Sequence, residues 1–423
     1  MKIAFLVPLF PLLSETFILN QITGLRDRGY EVDIYASGPG NDPKQHGDIE
    51  KYNLLNCTSY TGTFDQKMPA NQLLRILKAM FLVVTKFHKR PMPIIKSLNV
   101  FKFGKRAASL RLFYEAMSFL DMGMGEYDIV HCHFGGKGNL GALLKSVDVI
   151  KGKVVTTFYG YDISGAVKKH GEGLYNILFK EGDAFFAISE KMKKQLIEMG
   201  CSKEKVSVHR LGVDTDKICC SPRHTEDNGQ VKLLTIARLV EKKGVEYGIR
   251  AAAQVLKKYP QIEYDIVGDG PLRSDLESLI YALGLDERIK LLGWKQQEEI
   301  IELLNNADIL LAPSSTAENG DQEGTPTVII EALAKGLPVL STYHSAIPEL
   351  VQDTKSGFLV AERDVNGLSE KLTYLVEHKQ LWSEMGKEGH KHVEDNHDIN
   401  KLNDQLVNLY RQLMNGKRFN TYE

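Results

Sequence analysis

At 423 residues the chain has room for two or three domains, and its formal net charge of −1 supplies no global field that would draw it to nucleic acid. An apolar fraction of 43% beside 25% charged residues excludes a disordered or fibrous chain and describes a globular one. The five cysteines, Cys57, Cys132, Cys201, Cys219 and Cys220, make no C-x-x-C pair and are odd in number, which fits free thiols in the reducing cytoplasm. His131, Cys132 and His133 are metal-ligand types, but no second ligand cluster has zinc-like spacing, so no metal site is expected.

The N-terminus carries Lys2 and then an apolar run, as a secretory leader does. Pro8 and Pro11 interrupt that run and no small-residue cleavage site follows, so it reads as a buried first strand, Ile3 to Val7. No stretch reaches the roughly 18 uninterrupted apolar residues of a spanning helix. Beyond it, β-branched and aliphatic runs alternate with helical patterns. Strands are expected at 2–7, 31–36, 127–133, 153–159 and 184–189, and again at 232–237, 263–268, 289–293, 308–313 and 338–342. Helical stretches separate most of them, among them Glu15–Arg28, Glu190–Met199 and Gly244–Lys258. This alternation gives an α/β architecture of parallel sheets with crossover helices, in two successive doubly wound domains, 1–211 and 231–396. Between them 212–230 is polar, broken by Pro222 and Gly229, and reads as a linker. A last helix, His397 to Met414, is expected to pack back across the hinge.

The sharpest constellation lies at 321–339. Glu323-Gly324-Thr325-Pro326 follows a strand and a polar loop, and an apolar helical pattern then runs to Lys335. Thr325 is placed as N-cap and Pro326 at the first helical position, where no N–H is needed. A helix start preceded by glycine leaves backbone N–H groups for an anion, and a diphosphate would lie there. On a continuous helix Glu323 and Glu331 would stand roughly 12 Å apart along the axis. The carboxylate pair of a glycoside hydrolase needs about 5–9.5 Å. These two therefore suit opposite ends of an extended ligand. Glu331 sits among Val328, Ile329, Ile330, Ala332 and Leu333, an unfavourable place for an idle carboxylate.

Upstream, Arg238 follows the strand 232–237, and Lys243 comes just before Gly244 and a helix. One Arg and one Lys projecting from a strand end into an interdomain crevice neutralise a diphosphate leaving group, although alone such residues are usually solvated. The loop containing Gly268 (267–271, VGDGP) follows a strand, as ligand loops do in open parallel sheets. Arg273 stands where the third glycine of a dinucleotide fingerprint would fall, which argues against a dehydrogenase.

The motifs EGTPTVIIEA, ARLVEKKG and HRLGVDTDKI together resemble glycosyltransferase family 4, a retaining family with the GT-B fold, and the resemblance covers nearly the whole chain. The segments FPLLSETFILNQI (10–22), HCHFG (131–135) and VTTFYGYDIS (155–164) resemble its colanic-acid and exopolysaccharide branch. The resemblance implies two Rossmann-like domains facing each other across a cleft, the N-terminal one binding acceptor and the C-terminal one donor. It implies that Arg238 and Lys243 bind the donor diphosphate, with loop contacts from Gly324, Thr325 and Pro326. Glu323 would touch hydroxyls of the transferred sugar, Glu331 would bind the ribose, and Trp294 would lie near the base. No metal or other cofactor is implied, and no D-x-D motif stands where a metal site would need it. Tyr159 departs from the family, which commonly has His there, near the transferred sugar. His133 is then the remaining imidazole of the cleft, unless it is a structural histidine.

On the acceptor side, Ser14-Glu15-Thr16 lies between the first strand and first helix, at the carboxyl edge of the sheet. Ser14 or Thr16 is expected to cap that helix, which is compatible with acceptor contact. Residues 66–114 hold Lys67, Arg75, Lys78, Lys86, Lys89, Arg90, Lys96, Lys102, Lys105, Arg106 and Arg111, no acidic residue, and many interleaved aliphatic and aromatic side chains. Such a segment in a near-neutral chain reads as a surface for anionic lipid, the plainer alternative being a solvated basic face over an ordinary core. The aliphatic pattern lacks a nucleic-acid module, so no nucleic acid partner is expected.

Together these readings describe a cytoplasmic enzyme at the inner face of the membrane. It would transfer a sugar with retention from a nucleotide-sugar, expected to be UDP-linked, to a lipid-linked or saccharide acceptor. A nucleotide-sugar 2-epimerase of similar build and a non-catalytic nucleotide-sugar-binding protein are the alternatives. Intact Arg238, Lys243, Glu323 and Glu331 speak against the second.

Overall fold

The computed structural model describes residues 1–41, 46–62, 68–88, 90–218, 230–417 and 419. Most of the expected linker, with Cys219 and Cys220, and also Lys67 and Lys89, lies outside the described residues. Two parallel sheets organise the chain. The first contains β1 (Lys2–Leu9), β2 (Glu31–Gly38), β3 (Thr58–Tyr60), β4 (Ile129–His133), β5 (Lys153–Phe158), β6 (Ala184–Ala187) and β7 (Val206–Val208), in the order β3-β2-β1-β4-β5-β6-β7. The second contains β8 (Val231–Ile236), β9 (Ile262–Val267), β10 (Ile289–Gly293), β11 (Ile309–Ala312), β12 (Val339–Thr342) and β13 (Gly357–Val360), in the order β10-β9-β8-β11-β12-β13.

Both sheets are thus doubly wound α/β units of the GT-B kind. Each expected strand is present, and β3, β7 and β13 are additional. Ile3 to Val7 are fully buried, with Ile3 paired to Val32 on one side and to Ile129 on the other, so β1 is an interior strand. Strand order reverses between β1 and β4 in one sheet and between β8 and β11 in the other. The loops beyond the carboxyl ends of those strands form the crevices where open α/β sheets bind ligands.

The chain returns to the first unit at its end. Val213 bridges to Asp398, and His397 Nδ1 lies 2.6 Å from Leu211 O. The helix Ile399–Met414 then packs on the helix Thr16–Asp27, so closely that a Cβ on Gly24 would sit 1.9 Å from Asn403 Nδ2. Tyr410 of this last helix meets His131 Nδ1 through its hydroxyl at 2.6 Å. The terminal helix thus lies against the first unit.

Candidate functional site

The second sheet presents its loops to the first through a short series of tight backbone approaches. After β8, Arg238 is exposed and the turn Glu241–Lys243 ends at Gly244. Gly244 has φ of +60°, and a Cβ there would sit 1.9 Å from Pro313 O, so only glycine lets this turn press against the end of β11. Gly268 is constrained in the same way, with φ of +125° and a would-be Cβ 1.9 Å from Ala237 O, which packs its loop onto the one carrying Arg238. Trp294 follows β10 and is 58% exposed, an aromatic face held out to solvent.

The pressed turn delivers two lysines to the loop after β11. Lys243 Nζ donates to Glu323 Oε2 at 3.0 Å, while Lys242 Nζ lies 3.0 Å from Asp321 Oδ2 and 3.8 Å from Glu323 Oε1. Burial alone would raise the Glu323 pKa, but the ammonium groups of Lys243 and Lys242 outweigh it and hold the carboxyl below its usual value. Glu323 Oε1 is nevertheless buried without a hydrogen-bond partner among the described residues. Such an atom is one that a hydroxyl donor would satisfy.

The helix that follows begins one residue later than expected, at Thr327, with Pro326 in the N-cap position. Thr325 is not the cap. It is buried, and its hydroxyl turns toward Ile188 O of the first unit at 3.5 Å, because the chain is still extended at Pro326. Glu331 lies inside this helix, partly buried. Burial raises its carboxyl to about 7. Glu323 and Glu331 thus belong to a loop and a helix rather than to one continuous helix.

The first unit reaches the same loop. A Cβ on Gly160 would lie 2.4 Å from Gly324 N, and one on Gly324 would lie 2.8 Å from Ile188 Cδ1. Gln322 N donates to Ser164 Oγ at 3.3 Å, and Lys168 Nζ donates to Glu318 O at 2.8 Å. Glu349 crosses as well: its two carboxylate oxygens each accept at 2.9 Å, from Glu190 N and Lys191 N at the start of the helix Glu190–Glu198. That is a carboxylate on the positive end of a helix dipole, supplied by the other domain.

Tyr159 precedes Gly160 and so stands beside the Glu323 loop. Its hydroxyl meets His133 Nδ1 at 2.8 Å, and its ring packs on Phe17 and Phe134 at centroid separations of 4.7 and 4.6 Å. Burial raises the Tyr159 pKa well above its ordinary value. His133 lies beneath Tyr159, fully buried and stacked on Phe5 at 4.8 Å, and desolvation lowers its pKa to about 3. Its Nδ1 is the partner of Tyr159, while its Nε2 is buried without a hydrogen-bond partner among the described residues. His131 is equally internal, held by Thr157 Oγ1 at 2.7 Å and by Tyr410. Glu15 occupies the N-cap position of Thr16–Asp27 with no side-chain cap hydrogen bond, so neither Ser14 nor Thr16 caps that helix. Ser14 is exposed, and burial raises Glu15 to about 7.

The geometry therefore joins Lys243, Glu323, Gly324 and Thr325 from one domain to the neighbourhood of Tyr159 from the other. Arg238, Gly268 and Trp294 line loops of the same sheet edge. Sequence reasoning missed Lys242, His344, Ser345 and Glu362, all of which touch the Glu323 loop or its partners.

Comparison with known proteins identifies the family. Residues 14–217 match the family model Glycosyltransferase Family 4, and residues 221–392 match Glycosyl transferases group 1. The chain is 35% identical over 419 residues to a putative colanic acid biosynthesis glycosyltransferase, WcaL, of Escherichia coli K12, covering 98% of this chain and 100% of that one. It is 36% identical over 377 residues to the amylovoran biosynthesis glycosyltransferase AmsK of Erwinia amylovora, covering 89% and 90%. Among solved structures, Anabaena HepE in complex with UDP and glucose superimposes with a TM-score of 0.72 at 19% identity, over 97% of this chain and 100% of that one.

Proposed function

The chain belongs to glycosyltransferase family 4, and we propose that it moves a sugar with retention from a UDP-sugar to a lipid-linked or saccharide acceptor in exopolysaccharide synthesis. The observation that carries this reading is the Lys243–Glu323 pair, 3.0 Å apart in the crevice between two facing doubly wound domains, beside a helix start and a buried carboxylate oxygen awaiting a donor. Residues 1–211 serve as the acceptor domain and 231–396 as the donor domain, joined by 212–230. The donor diphosphate lies against Arg238, Lys243 and the backbone of Gly324, Thr325 and Pro326. Glu331 takes the ribose hydroxyls, the Gly268 loop and Trp294 border the nucleoside, and Glu323 takes a hydroxyl of the transferred sugar. The acceptor enters past Ser14, Glu15, Thr16 and Tyr159. UDP as carrier is supported by HepE, solved with UDP and glucose.

Rate enhancement in this reading comes from stabilising the departing diphosphate with fixed positive charge in the crevice. No covalent nucleophile, metal or other cofactor takes part. Transfer is tested by incubating the protein with UDP-sugars, with and without lipid-linked acceptor fractions. Acceptor-dependent UDP release with a glycosylated product is expected. A new UDP-sugar formed from donor alone would instead make the chain an epimerase.

The acceptor's location is addressed by the helix Gln72–Lys86. An amphipathic helix of a globular protein ordinarily turns its apolar face inward. Here Leu73, Ile76, Leu77, Met80, Phe81 and Val84, all on one face, are each at least 50% exposed, and only Ala79 is buried. Phe101 is fully exposed nearby, and Lys102, Lys105 and Arg106 follow it. Among the described residues no helix is long and apolar enough to cross a membrane. The outward apolar face with its lysines and arginines, of which Lys86 and Lys102 also meet Asp121 and Glu181, fits the anionic inner leaflet on the cytoplasmic side, each Lys or Arg contributing about 1 kcal/mol near such a surface. The protein is expected to sediment with phosphatidylglycerol vesicles at low salt, and Leu77→Ser with Phe81→Ser is expected to abolish this. Absence of binding would sink the idea, as would a dimer that the same serines dissociate.

A further inference from the structure

The backbone of Glu323 is gripped by two consecutive side chains from the loop after β12. His344 is fully buried, and its Nε2 lies 3.0 Å from Glu323 N. A backbone N–H donates, so Nε2 accepts and the ring proton must sit on Nδ1. That nitrogen lies 2.6 Å from Glu362 Oε1, to which it donates. Glu362 is in turn fixed by Thr316, whose backbone N–H donates to Oε2 at 2.8 Å and whose hydroxyl donates to Oε1 at 3.3 Å. The next residue, Ser345, has φ of +47°, a left-handed conformation that side chains other than glycine rarely adopt. In that conformation its hydroxyl donates to Glu323 O at 2.6 Å.

Both polar groups of the Glu323 main chain are therefore held from β12, while Lys243 holds one carboxylate oxygen. What remains is Oε1, buried and without a hydrogen-bond partner among the described residues. A loop with this many fixed points holds in place one oxygen that Lys242 Nζ approaches only to 3.8 Å. Backbone strain retained at Ser345 is the kind of cost that persists where surrounding contacts over-determine a conformation.

We infer that His344 and Ser345, with Glu362 fixing the tautomer of His344, are positioning residues that aim the free oxygen of Glu323 at a hydroxyl of the transferred sugar. This rests on the donor site proposed above. Neither residue touches the donor. Their effect falls mainly on the sugar end, because in the same reading Arg238, Lys243 and Glu331 hold UDP from other elements and only the Gly324, Thr325 and Pro326 backbone adjoins the segment they fix. A misplacement of about 1 Å at such a group can cost on the order of 10²-fold in rate. The sugar's contribution to donor affinity falls with it.

The test compares wild type, His344→Ala, His344→Gln and Ser345→Ala by melting temperature, UDP and GDP affinity, affinity for UDP-glucose, UDP-galactose and GDP-mannose, and hydrolytic release of the nucleoside diphosphate from those sugars. His344→Ala is expected to keep UDP affinity within about threefold while losing the extra affinity given by the sugar and roughly 10²-fold in turnover. His344→Gln is expected to recover part of both, since its amide oxygen accepts from Glu323 N–H and its amide nitrogen donates to Glu362. Should His344→Ala fail to fold, Ser345→Ala and His344→Gln carry the same comparison. Turnover within twofold of wild type in His344→Ala and Ser345→Ala would overturn the inference. So would an equal loss of UDP and UDP-sugar affinity with no recovery by glutamine, the signature of a merely structural role. A wild-type protein that binds no nucleoside diphosphate and consumes no nucleotide-sugar would overturn the donor site itself, and the positioning role with it.

Discussion

Replacing Lys243 with alanine removes one partner of a pair whose side chains are only 17% and 8% exposed. Breaking a buried pair in this way costs about 3–5 kcal/mol, because the remaining charge is left buried and unpaired. Lys242, 3.8 Å from the other carboxylate oxygen, remains and keeps the loss near the lower figure. About 3 kcal/mol in a domain of this size lowers the melting temperature by roughly 6–12 °C. The pH dependence carries a sharper signature. In the wild type the lysines hold the folded-state pKa of Glu323 below its ordinary value. That stabilisation is present above the unfolded pKa and is lost as pH falls through the folded one. Without Lys243 burial gains the upper hand, the folded pKa rises above the unfolded one, and the variant gains stability as pH falls from neutral toward about 5. Turnover of nucleotide-sugar is expected to fall on the order of 10²–10³-fold, as when one charge-stabilising donor is removed from an active site. Calorimetric melting between about pH 5 and 8 with a parallel turnover assay measures both effects. A variant with wild-type melting, the wild-type pH slope and near-normal turnover would refute the pairing and its role.

Gly160→Ala places a methyl group 2.4 Å from Gly324 N, so the domains cannot close on each other as they do here; turnover is expected to collapse while the melting temperature changes little. Unchanged turnover would show that this contact is dispensable. Tyr159→Phe strips His133 Nδ1 of its partner and leaves both nitrogens of a buried imidazole unsatisfied, costing about 1–3 kcal/mol in a melting experiment. No loss of stability would contradict the internal placement of His133. Burial raises Glu331 to about 7, and ribose hydroxyls donate to its ionised form, so UDP affinity should strengthen as pH rises through that value. The Glu331→Gln variant should flatten the profile, and identical profiles for the two proteins would exclude Glu331 from the ribose.

The strands of both sheets were legible because each is a short apolar run bounded by turn residues, as in Lys2–Leu9 and Ile289–Gly293. The three that were missed, Thr58–Tyr60, Val206–Val208 and Gly357–Val360, lie at or near sheet ends and are only three or four residues long, too short for periodicity to declare. Lys243 and Glu323 were legible from their motifs, 80 residues apart in sequence yet joined in space. His344, Ser345 and Glu362 were not, because their roles exist only through backbone contacts that the parallel pairing of β11, β12 and β13 creates. The residue pair His-Ser before Ile347 and Pro348, at the end of a strand, was the available signal. For His133 the sequence left a cleft imidazole and a structural histidine both open, because a strand-end position does not show whether its side chain is buried. The basic, apolar-rich composition of 66–114 was legible, but only packing reveals the helix Gln72–Lys86 with its apolar face outward.

The central claim, that the crevice of the second domain binds a nucleoside diphosphate carrier, is tested most directly by thermal stabilisation of wild type and Glu331→Ala with UDP, GDP, ADP and NAD. A ligand at about 100 times its dissociation constant adds about 2.7 kcal/mol of stability. A shift with UDP in the wild type that Glu331→Ala loses is the predicted result. No shift with any nucleoside diphosphate, or a shift with NAD alone, would contradict it.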